Sequence, residues 1–130
     1  MILGIGIDSV EINCFSLWHT YSQKKLLRIF SEDEIKYCLQ LPQKSAERFA
    51  VRFAAREAFF KAFSAAYPTL YIPFLTLCRF VSIQKNDNGR PSLWVDWKNL
   101  VKSHDISVIC HISLSHTQYD AMAFVIIEKF

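Results

Sequence analysis

Hydrophobic and small positions alternate along the first nine residues of the chain. The segment 2–9 carries Leu3, Ile5 and Ile7 on one side and Ile2, Gly4, Gly6 and Asp8 on the other. This period of two predicts a β-strand with Asp8 near its end. The two glycines on the Asp8 face leave room for a close approach to the backbone.

Three helices are predicted between positions 15 and 65. The first covers 15–27. The second begins after Ser31, where Glu34 completes a capping box, and runs to Leu39. The third, over 45–65, is the clearest, because it contains no proline or glycine and is rich in alanine and phenylalanine.

Four further strands are predicted in the second half of the chain. Segments 79–85 and 91–97 flank a turn signal at Asn86–Gly89, and the apolar segments 107–115 and 121–128 flank a polar turn. One strand, three helices and four strands in this order predict an α+β fold, with helices packed on an antiparallel sheet.

Length and composition narrow the class of protein. A chain of 130 residues predicts a single domain over 1–130. A hydrophobic content of 52% argues against disorder. The net charge of +3 fits an anionic partner or substrate and is too weak to indicate nucleic acid. We expect no signal peptide and no membrane-spanning segment.

Four cysteines are spread along the chain without any CxxC pair. Their positions are Cys14, Cys38, Cys78 and Cys110. This spacing disfavours a zinc site. Free thiols in a reducing cytoplasm are favoured over disulfides.

The predicted helix 45–65 places a charged pair among apolar residues. On a helical wheel, one apolar arc contains Ala46, Phe49, Ala50, Phe53, Ala54 and Phe60. Glu57 and Lys61 fall in the same arc, one turn apart. Because uncompensated burial of charge is costly, the pair is either a functional feature or an ordinary surface ion pair at the edge of the arc.

Arginines form a second stripe on the same predicted helix. Arg48, Arg52 and Arg56 are spaced four apart, which is typical either of a solvated helix face or of a ladder that binds phosphate. Asp8 and His116, each taken alone, are more typical of turn or structural residues than of a site.

Several segments form an ordered set that runs from one end of the chain to the other. The main segments are 4–12 (GIGIDSVEI), 52–62 (RFAAREAFFKA), 113–117 (SLSHT) and 125–128 (VIIE). Two weaker segments are 28–32 (RIFSE) and 88–91 (NGRP). In this order, and at this chain length, the set resembles the motifs of the acyl-carrier-protein synthase family of phosphopantetheinyl transferases.

The resemblance implies a fold, a reaction and an assembly. The fold is an antiparallel sheet with one long helix and shorter helices. The reaction moves 4′-phosphopantetheine from coenzyme A to a serine of acyl carrier protein, releases adenosine 3′,5′-bisphosphate and serves fatty acid biosynthesis. Family members of this size form homotrimers with active sites between subunits, and the expected location is the cytoplasm.

The resemblance also implies roles for individual residues. Asp8 and Glu57 would bind Mg²⁺, which prefers such hard oxygen ligands, and the coenzyme A pyrophosphate and waters would complete its shell. Lys61 would lie near this pyrophosphate. The proton acceptor for the serine is left open between Glu57, a water held by the metal, and neutral Lys61.

Two further groups of residues are implied. Contacts to coenzyme A are expected from Lys44, Arg52, Arg56, Lys61 and His116, with His116 acting in the site of a neighbouring subunit. Docking of the acidic carrier protein is expected at Lys24, Lys25 and Arg28, where a solvated helix end is the alternative.

The chain departs from the family pattern at three places. Cys14 stands where an arginine that contacts the carrier protein is usual. Arg56 replaces a lysine, so that a planar fork replaces a point charge. The segment 63–68 replaces a glycine-rich stretch, which would reshape the pantetheine side of the pocket.

Two other functions compete with the transferase. One is a degenerate module that binds coenzyme A or the carrier protein without turnover, which the three departures allow and the retained Asp8 and Glu57 oppose. The other is a small nucleic-acid-binding domain, which would require a denser basic patch with exposed aromatic residues.

Overall fold

The computed structural model describes residues 1–102 and 107–130, and it has an α+β fold. The strands are β1 (Ile2–Glu11), β2 (Val81–Lys85), β3 (Pro91–Val95), β4 (Val108–His116) and β5 (Asp120–Lys129). The α-helices are α1 (Gln23–Leu26), α2 (Glu32–Leu39), α3 (Ser45–Ala66), α4 (Phe74–Leu77) and α5 (Trp97–Val101). Short 3₁₀ turns occur at Ile12–Phe15, Trp18–Thr20, Pro42–Lys44 and Cys78–Phe80.

The strands form two antiparallel sheets. One has three strands in the order β1-β5-β4, and the other is the β2-β3 hairpin. The 22-residue helix α3 packs against the three-stranded sheet. The predicted α+β class, with one long helix on an antiparallel sheet, is therefore confirmed.

Helix α3 lies directly on the backbone of β1. A Cβ atom added to Gly4 would overlap the carbonyl oxygen of Ala62, and one added to Gly6 would overlap that of Ala58. The small residue Ala123 is buried on the same face of the sheet, where it pairs with Asp8. The predicted close approach to the glycine face is thus made by the protein's own helix.

The opposite face of the sheet carries exposed apolar residues. Ile7 pairs with Phe124 and Ile5 pairs with Ile126, so these side chains lie on the side away from α3. Ile7 is 61% exposed and Phe124 is 38% exposed. In the centre of β1, therefore, Ile5 and Ile7 face outward, whereas Gly4 and Gly6 face α3.

The predicted helix over 15–27 is wrong. The chain instead forms two 3₁₀ turns and the four-residue helix α1. The hydroxyl of Ser22 accepts a hydrogen bond from the Lys25 amide and thereby starts a new helix within the predicted one. Phe15 and Trp18 pack on Phe53 of α3, and this packing holds the irregular segment in place.

Helix α2 is confirmed with its capping box. Ser31 and Glu34 exchange side-chain and backbone hydrogen bonds. The later elements differ more from the predictions. The strand predicted over 91–97 ends at Val95, because Asp96 caps the unpredicted helix α5 through the Asn99 amide. Helix α4 was also not predicted.

Glu34 and Arg56 form a buried ion pair that joins α2, α3 and β2. Arg56 is fully buried and donates to both Glu34 carboxylate oxygens, at 2.8 Å for Oε2, and to the Val81 carbonyl at 2.9 Å. Burial alone would raise the pKa of the Glu34 carboxyl, but hydrogen bonds and charge from Arg56 hold the pKa below its usual 4.5.

Within the described residues, no helix is both long enough and apolar enough to cross a membrane. All four cysteines lie in the described part and are free. The expectation of unpaired thiols is therefore confirmed.

The contact between β1 and α3 predicts a severe effect of Gly6→Ala. The new methyl group would meet the Ala58 carbonyl and force β1 away from α3, at a cost of about 1–3 kcal/mol or more. Urea unfolding measures this loss. Ser9→Ala, at an exposed position of the same strand, is the matched control and should change stability little. Equal stability of both variants would refute the close packing.

The buried ion pair predicts both a mutational and a pH effect. Glu34→Gln leaves Arg56 buried without a charged partner and should cost about 3–5 kcal/mol. Exposed Glu32→Gln on the same helix is the control. Because the folded pKa of Glu34 is lowered, its contribution is present above pH 4.5 and is lost as the pH falls through the folded value. Unfolding curves across this range should lose their acid-side slope in Glu34→Gln.

Candidate functional site

Asp8 and Lys61 meet where the middle of β1 crosses the C-terminal half of α3. The Lys61 ammonium donates to Asp8 Oδ1 at 3.2 Å and to the Ile7 carbonyl at 2.9 Å. The other carboxylate oxygen of Asp8, Oδ2, is buried and has no hydrogen-bond partner in the described part of the chain. Such an orphaned oxygen calls for a donor or a cation.

Glu57 lies one turn before Lys61 on α3 and is partly buried. Burial and the negative charge of Asp8 raise the pKa of the Glu57 carboxyl, and the positive charge of Lys61 partly offsets the rise. Two carboxylates therefore lie close to the Lys61 ammonium. The helical wheel correctly placed Glu57 and Lys61 together, and the structure brings Asp8 to them.

The two carboxylates have the chemistry of a partial Mg²⁺ site. Mg²⁺ prefers oxygen ligands and usually keeps several waters or phosphate oxygens in its shell. Among residues 1–102 and 107–130, no group of three His, Cys, Asp or Glu side chains is placed to hold a metal ion. Asp8 and Glu57 could hold such an ion only if other ligands complete its shell.

An aromatic wall borders the same stretch of α3. The Phe74 ring packs between Phe53 and Phe60, with ring centroids 5.6 Å and 5.7 Å away. Phe53 and Phe60 lie one turn before and almost one turn after Glu57. Phe74 was not predicted, because nothing in its local pattern indicates that α4 folds back on α3.

A cavity of about 440 Å³ lies near the N-terminal half of α3. It brings together Lys44, Arg52 and His116, three of the predicted coenzyme A contacts. It also contains Arg48, a member of the arginine stripe, and Tyr37, Glu47 and Lys85, which were not assigned to a site. Tyr37 and Lys85 come from α2 and the end of β2, and the sequence carries no signal for their convergence.

Glu47 ties two of the cavity's side chains together. His116 Nε2 is 3.2 Å and Lys44 Nζ is 3.9 Å from its carboxylate. His116 therefore reaches the cavity from within its own chain. This cavity therefore does not require a His116 from a neighbouring subunit, which the family resemblance had implied.

Arg56 is a correction to the predicted phosphate contacts. It is fully buried and donates hydrogen bonds to both carboxylate oxygens of Glu34, so its guanidinium does not reach the cavity. The arginine stripe splits accordingly: Arg48 and Arg52 line the cavity, whereas Arg56 is a structural residue. The wheel missed this difference because α3 is enclosed on more than one side.

The predicted docking residues are all exposed. Lys24 and Lys25 lie on α1, and Arg28 follows it. The Lys25 ammonium lies 3.9 Å from the centroid of the Tyr21 ring. Cys14 is also exposed, in the 3₁₀ turn that follows β1.

Comparisons with known proteins identify the family of the chain. Residues 4–121 match the family model of the 4′-phosphopantetheinyl transferase superfamily. The chain is 35% identical over 129 residues to a holo-[acyl-carrier-protein] synthase of Geobacillus sp. (strain WCH70), covering 99% of this chain and 98% of that protein. It is 37% identical over 131 residues to one of Treponema denticola, covering 98% and 99%.

Solved structures give the same result. A holo-(acyl-carrier-protein) synthase from Bacillus anthracis str. Ames, in complex with CoA (3′,5′-ADP), superposes with a TM-score of 0.75 at 30% identity, covering 100% of this chain and 99% of that one. The chain belongs to the holo-[acyl-carrier-protein] synthase family of the 4′-phosphopantetheinyl transferase superfamily.

Proposed function

We propose that this protein transfers the 4′-phosphopantetheine group of coenzyme A to a serine of apo acyl carrier protein. The observation that carries the proposal is the meeting of Asp8, Glu57 and Lys61 where β1 packs on α3. Full-length similarity to holo-[acyl-carrier-protein] synthases supports it. We place the reaction in the cytoplasm and in fatty acid biosynthesis.

We propose that coenzyme A binds across the two sites as one extended ligand. We assign its nucleotide to the cavity with Lys44, Arg52 and His116, and its pyrophosphate to the carboxylate pair with Lys61. The Bacillus anthracis relative was solved with CoA (3′,5′-ADP), which supports coenzyme A as the substrate of this protein. The pantetheine arm would then pass the wall formed by Phe53, Phe60 and Phe74.

Asp8 and Glu57 are proposed to hold Mg²⁺. The orphaned Asp8 Oδ2 and the mutual repulsion of the two carboxylates fit a bound cation. When bound, the ion supplies charge stabilisation for the transferring phosphoryl group. The protein offers few ligands, so the pyrophosphate and waters would complete the shell and make ion binding depend on the substrate.

The chain's own residues would position the reactants and stabilise charge. The serine oxygen attacks the β-phosphorus, the bond to the bridging oxygen breaks, and adenosine 3′,5′-bisphosphate leaves. Lys61 donates to the Ile7 carbonyl and to Asp8, and from this position it would offset negative charge on the pyrophosphate. Since Lys61 is occupied as a donor, Glu57 or a water is the better proton acceptor.

Lys24, Lys25 and Arg28 are proposed to dock the acidic carrier protein. Their exposure and their shared positive charge support this role. Such contacts mainly accelerate encounter and are weakened by salt. Cys14 removes one positive charge from the usual docking set, so the remaining three would carry more of the attraction.

We also propose a homotrimer formed through the outer face of the three-stranded sheet. Ile5, Ile7, Met122 and Phe124 form an exposed apolar patch on this face. Contiguous exposed apolar surface of this kind marks a protein interface. The threefold order and the placement of active sites between subunits rest on the family resemblance.

The transferase and the degenerate binder differ in one measurement. Apo acyl carrier protein incubated with this protein, coenzyme A and Mg²⁺ should gain the mass of phosphopantetheine, and EDTA should abolish the gain. Glu57→Gln should lower the rate at least about 100-fold, because charge stabilisation worth several kcal/mol is lost. Exposed Glu32→Gln is the control. Coenzyme A binding without any mass gain would favour the degenerate binder.

The proposed interface predicts that Phe124→Lys disrupts the oligomer. A buried lysine without a partner is costly at a subunit contact, so light scattering should report monomers. Exposed Leu17→Lys, outside the sheet, should leave the oligomer intact. An unchanged oligomer in Phe124→Lys, or a monomeric wild-type protein, would contradict the proposed interface.

A further inference from the structure

Three cationic side chains surround the aromatic ring of Tyr37 at the wall of the cavity. The guanidinium carbons of Arg48 and Arg52 lie 3.8 Å and 4.5 Å from the ring centroid. The Lys85 ammonium lies 4.8 Å from the centroid and 3.4 Å from the Tyr37 hydroxyl. One ring from α2 therefore contacts cations from α3 and from the end of β2.

Hydrogen bonds fix the two arginines without neutralising them. Arg48 donates to the Tyr37 carbonyl at 2.7 Å, and Arg52 donates to the Arg48 carbonyl at 3.3 Å. Arg52 is 9% exposed, and its Nε has no partner among the described residues. The ion pairs of residues 1–102 and 107–130 do not include Arg48, Arg52 or Lys85.

This arrangement holds positive charge in place and keeps it available. Like charges at such distances repel each other, so something must hold them together. A carboxylate would do so but would also cancel their charge. The face of an aromatic ring attracts cations through its quadrupole and carries no net charge. An anion that enters the cavity would therefore supply the negative charge that the three cations lack as a partner.

The position of the cluster indicates which phosphate of coenzyme A it binds. This step rests on the function proposed above. Coenzyme A carries phosphate at two places, the pyrophosphate and the 3′ position of the ribose. The pyrophosphate is assigned to the site of Glu57. Arg52 and Arg48 precede Glu57 by five and nine residues, which is about 7.5 Å and 13.5 Å along a helix that rises 1.5 Å per residue.

We propose that Tyr37 is a positioning residue that holds Arg48, Arg52 and Lys85 for the ribose 3′-phosphate. It thereby gives the enzyme its preference for coenzyme A over 3′-dephospho-coenzyme A. Tyr37 does not itself touch the reacting atoms. Its loss should therefore raise the KM for coenzyme A far more than it lowers kcat.

Three single substitutions of Tyr37 distinguish two effects of its ring. The ring holds the cations in place, and it leaves their positive charge unneutralised. Tyr37→Leu removes the ring and should weaken binding of adenosine 3′,5′-bisphosphate about tenfold in calorimetry. Tyr37→Phe keeps the ring and loses only the bond to Lys85, with a cost of about threefold or less. Tyr37→Glu holds the arginines but neutralises them, and should weaken binding at least as much as Tyr37→Leu.

Selectivity supplies the decisive comparison. With 3′-dephospho-coenzyme A, Tyr37→Leu should have nearly the wild-type KM, because the group that the cluster contacts is missing. Lys36→Leu, at the preceding exposed position of α2, is the matched control. If melting curves show that Tyr37→Leu does not fold, Lys85→Met, at an exposed side chain, should show the same selective loss.

Several results would overturn the role of Tyr37. They are wild-type bisphosphate affinity in Tyr37→Leu, equal losses with coenzyme A and its 3′-dephospho form, or full affinity in Tyr37→Glu. Failure of the proposed function is distinguishable, because the wild-type protein would then transfer nothing to the carrier protein. Bisphosphate binding would still report on Tyr37 in that case.

Discussion

The backbone of α3 rests on the backbone of β1, and the candidate site depends on this contact. Gly4 and Gly6 permit it because no Cβ separates the strand from the Ala62 and Ala58 carbonyls. The close approach brings Asp8 of β1 to within 3.2 Å of Lys61 on α3. A wider spacing, as larger side chains would impose, would separate the strand carboxylate from the helix residues with which it acts.

Away from β1, helix α3 is held in place by an ion pair rather than by the close packing of small residues. The buried Arg56–Glu34 pair joins α3 to α2 and β2. It also aligns the partners of the cavity, since Glu34 and Tyr37 share α2, while Arg48 and Arg52 share α3 with Arg56. One long helix thus carries the candidate metal site, the structural ion pair and the candidate phosphate-binding cavity on different faces. This division explains why successive arginines of one stripe have different roles.

Local patterns predicted the elements that local physics determines. The capping box at Ser31, the length of α3, the strand pairs of the second half and the placement of Glu57 beside Lys61 were all foreseen from such patterns. The cavity residues Lys44, Arg52 and His116 were expected only from the family resemblance. Wrong or missing predictions concern tertiary contacts. Neither the burial of Arg56, the fold-back of Phe74 nor the convergence of Tyr37 and Lys85 is encoded in a helical or strand period, because each depends on which element packs against which.

The central claim is that the contact between β1 and α3 creates a substrate-dependent metal site at Asp8 and Glu57. Crystals grown with coenzyme A and Mn²⁺, measured for the anomalous signal of manganese, test it most directly. The account predicts one strong peak within coordination distance of both carboxylates and of the pyrophosphate, and no such peak in Asp8→Asn crystals. A peak that contacts neither carboxylate, or one that persists unchanged in Asp8→Asn, would contradict the account.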